Sequence, residues 1–358
     1  MKKIFQIGSA FIGVIIGAGF ASGQEILQYY VSFGYFGLAA ALLAAVLFSF
    51  MGVTLMKLGS NYQATSHSDV IYHISGRILG KIIDYILIIA LFGFGVVMIA
   101  GGGSSLQQQF GLPHIVGSLF MLILVILSVI GNVDRVIKVI GSITPFLIVA
   151  VIFLCIYSFI TKNLPLNELS EMAVNQKSAV SNWFVSTLNY VSMNIVLGAS
   201  MTIVMGGNEK NEKTAIYGGL VGGLGIGILI IVSYLTIFSK VDVVGHVDMP
   251  LLKIADEISP ILGVIYSVIL FGMIFNTAIG MFFSFGARFA QIGTAKFKWT
   301  ILISGIVALA LSFLGFTDLV SFFYPVIGYL GFVLFAVLII SWFRKPVASV
   351  ADHERKVV

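Results

Sequence analysis

Apolar runs long enough to cross a bilayer alternate along the chain with short polar, breaker-rich stretches. A membrane span needs about 20 mainly apolar residues. The pattern predicts an all-α integral membrane protein with ten transmembrane helices, over roughly 4–32, 35–57, 81–104, 113–132, 138–160, 182–206, 214–239, 262–286, 299–316 and 319–343. Between Asp84 and Asp134 stands no Lys, Arg, Asp or Glu, so this stretch must hold two spans. "GGGSSLQQQFGLPH" (101–114), polar and rich in breakers, reads as the turn between them. The first span is unusual. In "IIGAGFASGQEI" (15–26), three glycines, a serine, Gln24 and Glu25 interrupt an apolar helix at membrane depth, where glycine weakens the helix and a carboxylate is costly.

Composition agrees with the pattern. Of 358 residues, 59% are hydrophobic and 10% charged, against about 25% charged in soluble domains. The single Cys155 lies in an apolar run, so no disulfide framework exists. "MKK" leads into a helix without a small-residue cleavage pattern, so no cleaved signal is expected.

Charge then orients the spans. With the N-terminus inside, Lys2, Lys3, Lys57, Arg77, Lys81, Arg135, Lys138, Lys210, Lys213, Arg288, Lys296, Lys298, Arg344, Lys345, Arg355 and Lys356 fall on the cytoplasmic side. Only Lys162, Lys177, Lys240 and Lys253 fall outside. This is the positive-inside bias of a membrane protein with both termini cytoplasmic. The pI of about 9.1 is therefore a topological address, and no nucleic-acid partner is expected.

The two halves resemble each other. "LSVIGNVDRV" (127–136) matches "LSFLGFTDLV" (311–320), "ILGKIIDYILI" (78–88) matches "ILGVIYSVILF" (261–271), and "IIGAG" (15–19) matches "VLGAS" (196–200), all at a nearly constant shift. Each half holds five spans, and an odd number inverts the second half. The expected units are a first repeat over 1–160, an extracellular connection over 161–181, a second repeat over 182–343 and a cytoplasmic tail over 344–358. "ATSHSDVIYHISGR" (64–77) and "DMPLLKIADEIS" (248–259) read as matching surface helices before spans 3 and 8.

Inverted repeats belong to transporters whose sites lie where discontinuous helices meet. Span 1 is interrupted at "GAGFASGQE" (17–25), and its partner, span 6, is expected to break at "NYVSMNIVLGAS" (189–200). Broken backbone at membrane depth lines a cavity or is buried in protein. The competing reading is that Gly13, Gly17, Gly19 and Gly23 only allow close helix packing.

A five-plus-five inverted repeat with interrupted first and sixth helices resembles the amino acid–polyamine–cation superfamily, with the LeuT-type fold. The short length and "GAGFASGQE" resemble the YkvI-like branch of bacterial membrane proteins. The resemblance implies an ion-coupled symporter of a small polar metabolite, an amino acid or related amine, in the bacterial cytoplasmic membrane. It also implies a sodium site between spans 1 and 8. "FGMIFNTAIG" (271–280) offers Asn276 and Thr277 as side-chain ligands, with carbonyls from Gly13, Ile16 and Met273. Phe20 stands where that family's second cation site has an Asn, so no second sodium is implied. The alternative for Asn276 and Thr277 is hydrogen bonding to a neighbouring helix.

Around the break, Gly17, Gly19, Ala21, Ser22, Gly23, Gln24 and Glu25 are candidate substrate contacts. The N–H groups of Ala21, Ser22 and Gly23 are candidates for a substrate carboxylate. Span 6 adds Asn189, Tyr190, Ser192, Asn194 and Ser200, and Phe94 with Tyr190 is expected to wall the pocket. Glu25 lies about seven residues past the break centre, on the order of 10 Å outward by the helical rise. There it suits a substrate amine or an outer gate better than a proton carrier, so sodium is preferred to a proton as the coupling ion. Asp84 is expected to snorkel beside Lys81, and Asp134 and Asp318 to cap the helices that follow them. No Ser–His–Asp set, phosphate loop or histidine spacing for a metal appears, so an enzyme is not expected. A channel-like facilitator and a transporter-fold receptor remain as alternatives.

Overall fold

The computed structural model describes residues 1–131, 144–162 and 164–343. Asp134, Arg135, Lys138, the start of the fifth predicted span and the tail 344–358 lie outside the described residues.

Among the described residues the chain forms helices joined by short turns. The first predicted span comprises α1 (Lys2–Ile15), α2 (Ala18–Ser22) and α3 (Gln24–Tyr29). There follow α4 (Phe36–Tyr62), α5 (His67–Phe110), α6 (His114–Ile130), α7 (Thr144–Ile160) and the short α8 (Leu166–Val174). The rest comprises α9 (Trp183–Gly207), α10 (Glu212–Phe238), α11 (Val241–Val244), α12 (Pro250–Ile258), α13 (Pro260–Phe289), α14 (Ala295–Ser312) and α15 (Phe316–Phe343). Seven of these helices are long and apolar enough to cross a membrane, and two shorter apolar helices, His114–Ile130 and Phe146–Ile160, lie between them. Large apolar side chains such as Phe36, Val46, Phe146, Val268 and Phe322 point outward, as lipid contact requires.

The backbone leaves the helical path twice within the first predicted span. Ile16 and Gly17 are extended, and Gly23 has φ +85°. Only glycine enters that left-handed region without cost, and a Cβ at Gly23 would also meet Leu251 Cγ at 2.9 Å. α5 is divided at Gly76 (φ 75°, ψ 176°), which separates its amphipathic start from its apolar body.

Two expectations need correction here. Span 6 is unbroken, because α9 runs as one helix from Trp183 to Gly207. Its polar residues spend their hydrogen bonds elsewhere: Asn189 and Ser192 bond to α15, and Asn194 Nδ2 and Thr202 Oγ1 donate to carbonyls one turn back. Gly198 accommodates the Ile15 side chain rather than a kink. The predicted turn at 101–114 is also shorter than expected, since α5 continues to Phe110. Its triple glycine lies inside the helix, where a Cβ would strike Met121 from Gly102 and His114 from Gly103. There small residues let two helices approach.

Helix contacts come in exchanged sets. α4 packs on α10; α1 packs on α10 as α9 packs on α4; α5 packs on α6 as α13 packs on α14; α5 packs on α15 as α13 packs on α7. Polar ties gather at two ends. At one, Lys3 Nζ meets Glu209 Oε2 at 2.7 Å and Ser60 Oγ donates to the Glu209 carbonyl. At the same end Asp84 accepts from Tyr72 at 2.6 Å and lies 3.6 Å from Arg288, so Asp84 joins α5 to α13 rather than snorkelling beside Lys81. At the other end Lys177 pairs with Asp318 at 2.6 Å, and Gln108 Nε2 donates to the Met249 carbonyl.

The Lys3 hydrogen bond and the Asn211 N–H hold the Glu209 carboxyl below its ordinary range. A depressed folded value stabilises the protein above the unfolded carboxylate pKa of about 4.3, and that stability is lost as pH falls through the folded value. Lys3→Gln is therefore expected to lower the thermal midpoint at pH 7 by the equivalent of under about 1 kcal/mol. The gap from wild type should narrow as pH falls below about 4.3 and close only once pH is below the depressed folded value. A gap that is independent of pH would assign Lys3 a packing role instead.

Candidate functional site

The site forms where the interrupted first span meets α9 and α15. Past Ile15 the last carbonyls of α1 have no helical partners, and Ile16 N donates back to the Ile12 carbonyl at 2.7 Å. Ser22 stitches the next segment: its Oγ donates to the Gly19 carbonyl at 2.7 Å and accepts from Gln24 N at 3.1 Å. Ala21 N and Gly23 N donate to the carbonyls of Gly17 and Phe20. Those two N–H groups are occupied, which corrects the expectation that they receive a carboxylate.

Glu25 is the centre. Only 6% of its surface is exposed, and among the described residues it forms no ion pair. Tyr190 OH donates to Glu25 Oε2 at 2.9 Å. Gly19 lies directly against the carboxylate, where a Cβ would collide with Glu25 Oε1 and lie 2.9 Å from Tyr324 OH. The buried Tyr324 hydroxyl thus shares the space over Gly19 with the carboxylate and faces it as a second neutral hydroxyl. Phe94 packs at a tilt on Tyr324 with centroids 4.5 Å apart, while Tyr29 and Tyr30 pack on Tyr190 at 5.1 and 5.3 Å. The carboxylate is enclosed by aromatic rings.

The other candidates divide. Asn189 is fully buried, accepts from Tyr29 OH at 3.2 Å and donates to the Pro325 carbonyl at 2.9 Å. Ser192 Oγ donates to the Gly328 carbonyl at 3.0 Å. These two tie α9 to α15 behind Tyr190. Asn194 bonds within its own helix, and Ser200 is half-buried ten residues beyond Tyr190, about 15 Å along the axis. Gln24 is buried, with its Oε1 unpartnered.

Of the candidate sodium ligands, Thr277 faces the break. Its Oγ1 lies 3.7 Å from the position a Cβ would take on Gly17, and it donates to the Met273 carbonyl at 3.0 Å. Ile16 is buried, Asn276 half-buried and Gly13 exposed. Hard cations take several oxygen ligands, and the free carbonyls at the end of α1 with the Thr277 hydroxyl are of the right chemistry.

Sequence reasoning missed Tyr29, Tyr30, Tyr266 and Tyr324. Tyr266 OH donates to the Ala21 carbonyl at 2.8 Å, which ties α13 to the break. A weak signal was present in "EILQYY" (25–30), which puts Tyr29 and Tyr30 one turn after Glu25.

No family model matches the chain. It is 25% identical over 334 residues to the uncharacterized membrane protein YkvI of Bacillus subtilis (strain 168), covering 93% of this chain and 94% of that protein. It is 26% identical over 329 residues to the uncharacterized protein YyaD of the same organism, covering 92% and 94%. Among solved structures, MhsT in complex with L-phenylalanine superposes with a TM-score of 0.65 at 16% identity, covering 95% of this chain and 89% of MhsT. Mhp1 in its inward-facing conformation gives 0.63 at 12% identity, covering 95% and 76%. A manganese transporter of Eremococcus coleocola gives 0.60 at 14%, covering 97% and 89%. The fold is that of the LeuT-type transporters. The Eremococcus coleocola neighbour is a transporter rather than an enzyme.

Proposed function

We propose that this YkvI-like, LeuT-fold protein is an ion-coupled symporter of a small polar metabolite, an amino acid or related amine, working by alternating access. The observation that carries this reading is Glu25, buried just past the interruption of the first span and held by Tyr190 of α9. Ionisable residues inside a membrane protein mark substrate and ion pathways. MhsT, with L-phenylalanine bound, favours an amino acid or amine over the metal ion of the manganese transporter, because no group of three His, Cys, Asp or Glu gathers among the described residues.

We place ten spans in two inverted repeats, 1–160 and 182–343, joined by an extracellular connection over 161–181, with both termini and the 344–358 tail in the cytoplasm of a bacterial cell. The exchanged helix contacts and the Lys and Arg distribution support this arrangement. Sodium is the proposed coupling ion, held by carbonyls of Gly13, Ile16 and Met273 with Asn276 and Thr277. The closeness of Thr277 to Gly17 supports that assignment.

The test is metabolite uptake into proteoliposomes at clamped pH, in sodium against choline medium. Wild type should require sodium, and Thr277→Ala should need roughly tenfold more of it, as expected when one of a few oxygen ligands is removed. Sodium-independent uptake that follows a pH gradient would transfer coupling to a proton.

A further inference from the structure

We propose that the Glu25 carboxylate, enclosed by Tyr30, Tyr190 and Tyr324, is the receptor for the ammonium group of a small organic cation, and that the substrate bears no carboxylate. This assignment rests on the transporter reading above and narrows its substrate class.

Three observations converge. First, the carboxylate is buried and its hydrogen-bond donor, Tyr190, is neutral. A hydroxyl satisfies one lone pair but leaves the charge uncompensated, and a buried charge without a partner is expensive. A bound cation removes that cost. Second, the Tyr30 hydroxyl is buried without a hydrogen-bond partner, and the Tyr324 hydroxyl faces the carboxylate over Gly19. An ammonium has three donors, enough to engage the carboxylate and both hydroxyl oxygens. The surrounding rings, packed 4.5 to 5.3 Å apart, offer faces that attract cations.

Third, among the described residues nothing basic faces this site. Of the lysines at the nearer end, Lys177 is held by Asp318, Lys253 by Glu257, Lys240 by the Thr161 carbonyl, and Lys162 lies over the Phe159 ring. The Ala21 and Gly23 N–H groups are already paired. A zwitterion would bring a carboxylate with no counterpart, whereas a simple amine or quaternary ammonium would not.

The test is binding to the purified full chain in nanodiscs, read as thermal midpoint and by calorimetry, with n-propylammonium, choline, alanine, propionate and n-propanol as probes. The cations should raise the midpoint, while propionate and n-propanol leave it unchanged and alanine binds at least roughly tenfold more weakly than n-propylammonium. Glu25→Gln should weaken n-propylammonium by a similar factor, and Glu25→Asp, which keeps the charge, should retain part of the affinity. Wild-type affinity in Glu25→Gln would overturn the proposal, as would binding of alanine without n-propylammonium or failure of every cation. Sodium-driven uptake of a zwitterion by a protein that ignores n-propylammonium would sink this assignment and leave the symporter reading intact. Retained ammonium binding without transport of any metabolite would do the reverse.

Discussion

Glu25→Gln is expected to cut uptake by roughly tenfold or more while leaving the thermal midpoint unchanged or higher, and the two signs together identify its role. Tenfold corresponds to about 1.4 kcal/mol of lost interaction with the transported species. The stability side follows from burial. A carboxylate at the very centre of a membrane helix costs about 2.5–3.5 kcal/mol on insertion scales, which is the upper bound for Glu25 outward of the break. The charge-assisted bond from Tyr190 returns about 1.5–3 kcal/mol. Glutamine keeps an oxygen for Tyr190 and removes the charge, so the fold loses little and gains the desolvation term. A purely structural Glu25 gives the opposite result, a lowered midpoint with uptake falling only as folded protein falls. Both readouts come from one preparation, initial uptake rate in proteoliposomes and thermal midpoint in detergent. Uptake at the wild-type rate in Glu25→Gln would remove Glu25 from the transport path.

The break in the first span was legible because it violates a local rule. Gly17, Gly23 and Glu25 have no reason to interrupt an apolar helix unless the tertiary structure requires it, and the backbone leaves the helical path at Ile16, Gly17 and Gly23. The sixth span misled for the converse reason. Asn189, Ser192 and Asn194 are the residue types that disturb helices, but here their partners are carbonyls of α15 or of their own preceding turn. Nothing local distinguishes an interhelical hydrogen bond from a break. The aromatic enclosure was illegible because its members lie far apart in the chain: Glu25 meets Tyr190 at a separation of 165 residues. In a chain with 13 Tyr and 30 Phe, no periodicity selects those few. Asp84 was misplaced because its sequence neighbour Lys81 is nearer along the chain than Arg288, which reaches it only through the packing of α13 on α5.

The helix contacts beneath the site depend on a feature that composition alone conceals, and it sets the largest expected loss of stability. α10 carries Gly218, Gly219, Gly222, Gly223 and Gly227 on two adjacent stripes. One stripe meets α4: a Cβ on Gly219 would collide with the Gly52 carbonyl oxygen and lie 2.6 Å from its carbon, and one on Gly223 would collide with the Ser49 backbone. The other meets α1, where a Cβ on Gly222 would lie 2.7 Å from Phe11 Cδ1 and 2.9 Å from the Gly8 carbonyl oxygen. In lipid no hydrophobic force drives helices together, so association depends on such close backbone approach. Gly219→Ala puts a methyl against backbone, which cannot rotate away, and overpacking of this kind costs about 1–3 kcal/mol. Gly219→Leu should leave no folded protein, because α4 and α10 must separate by the width of a side chain. Gly280→Ala is the control: a Cβ there meets nothing within 4 Å, and alanine is favoured over glycine inside a helix by about 1 kcal/mol. Fluorescence-detected size exclusion and thermal midpoints in one detergent compare the three. Gly219→Ala should fall below wild type and Gly280→Ala should match or exceed it. A Gly219→Leu protein that elutes as a single sharp peak at the wild-type midpoint would mean that the α4–α10 contact is not this close.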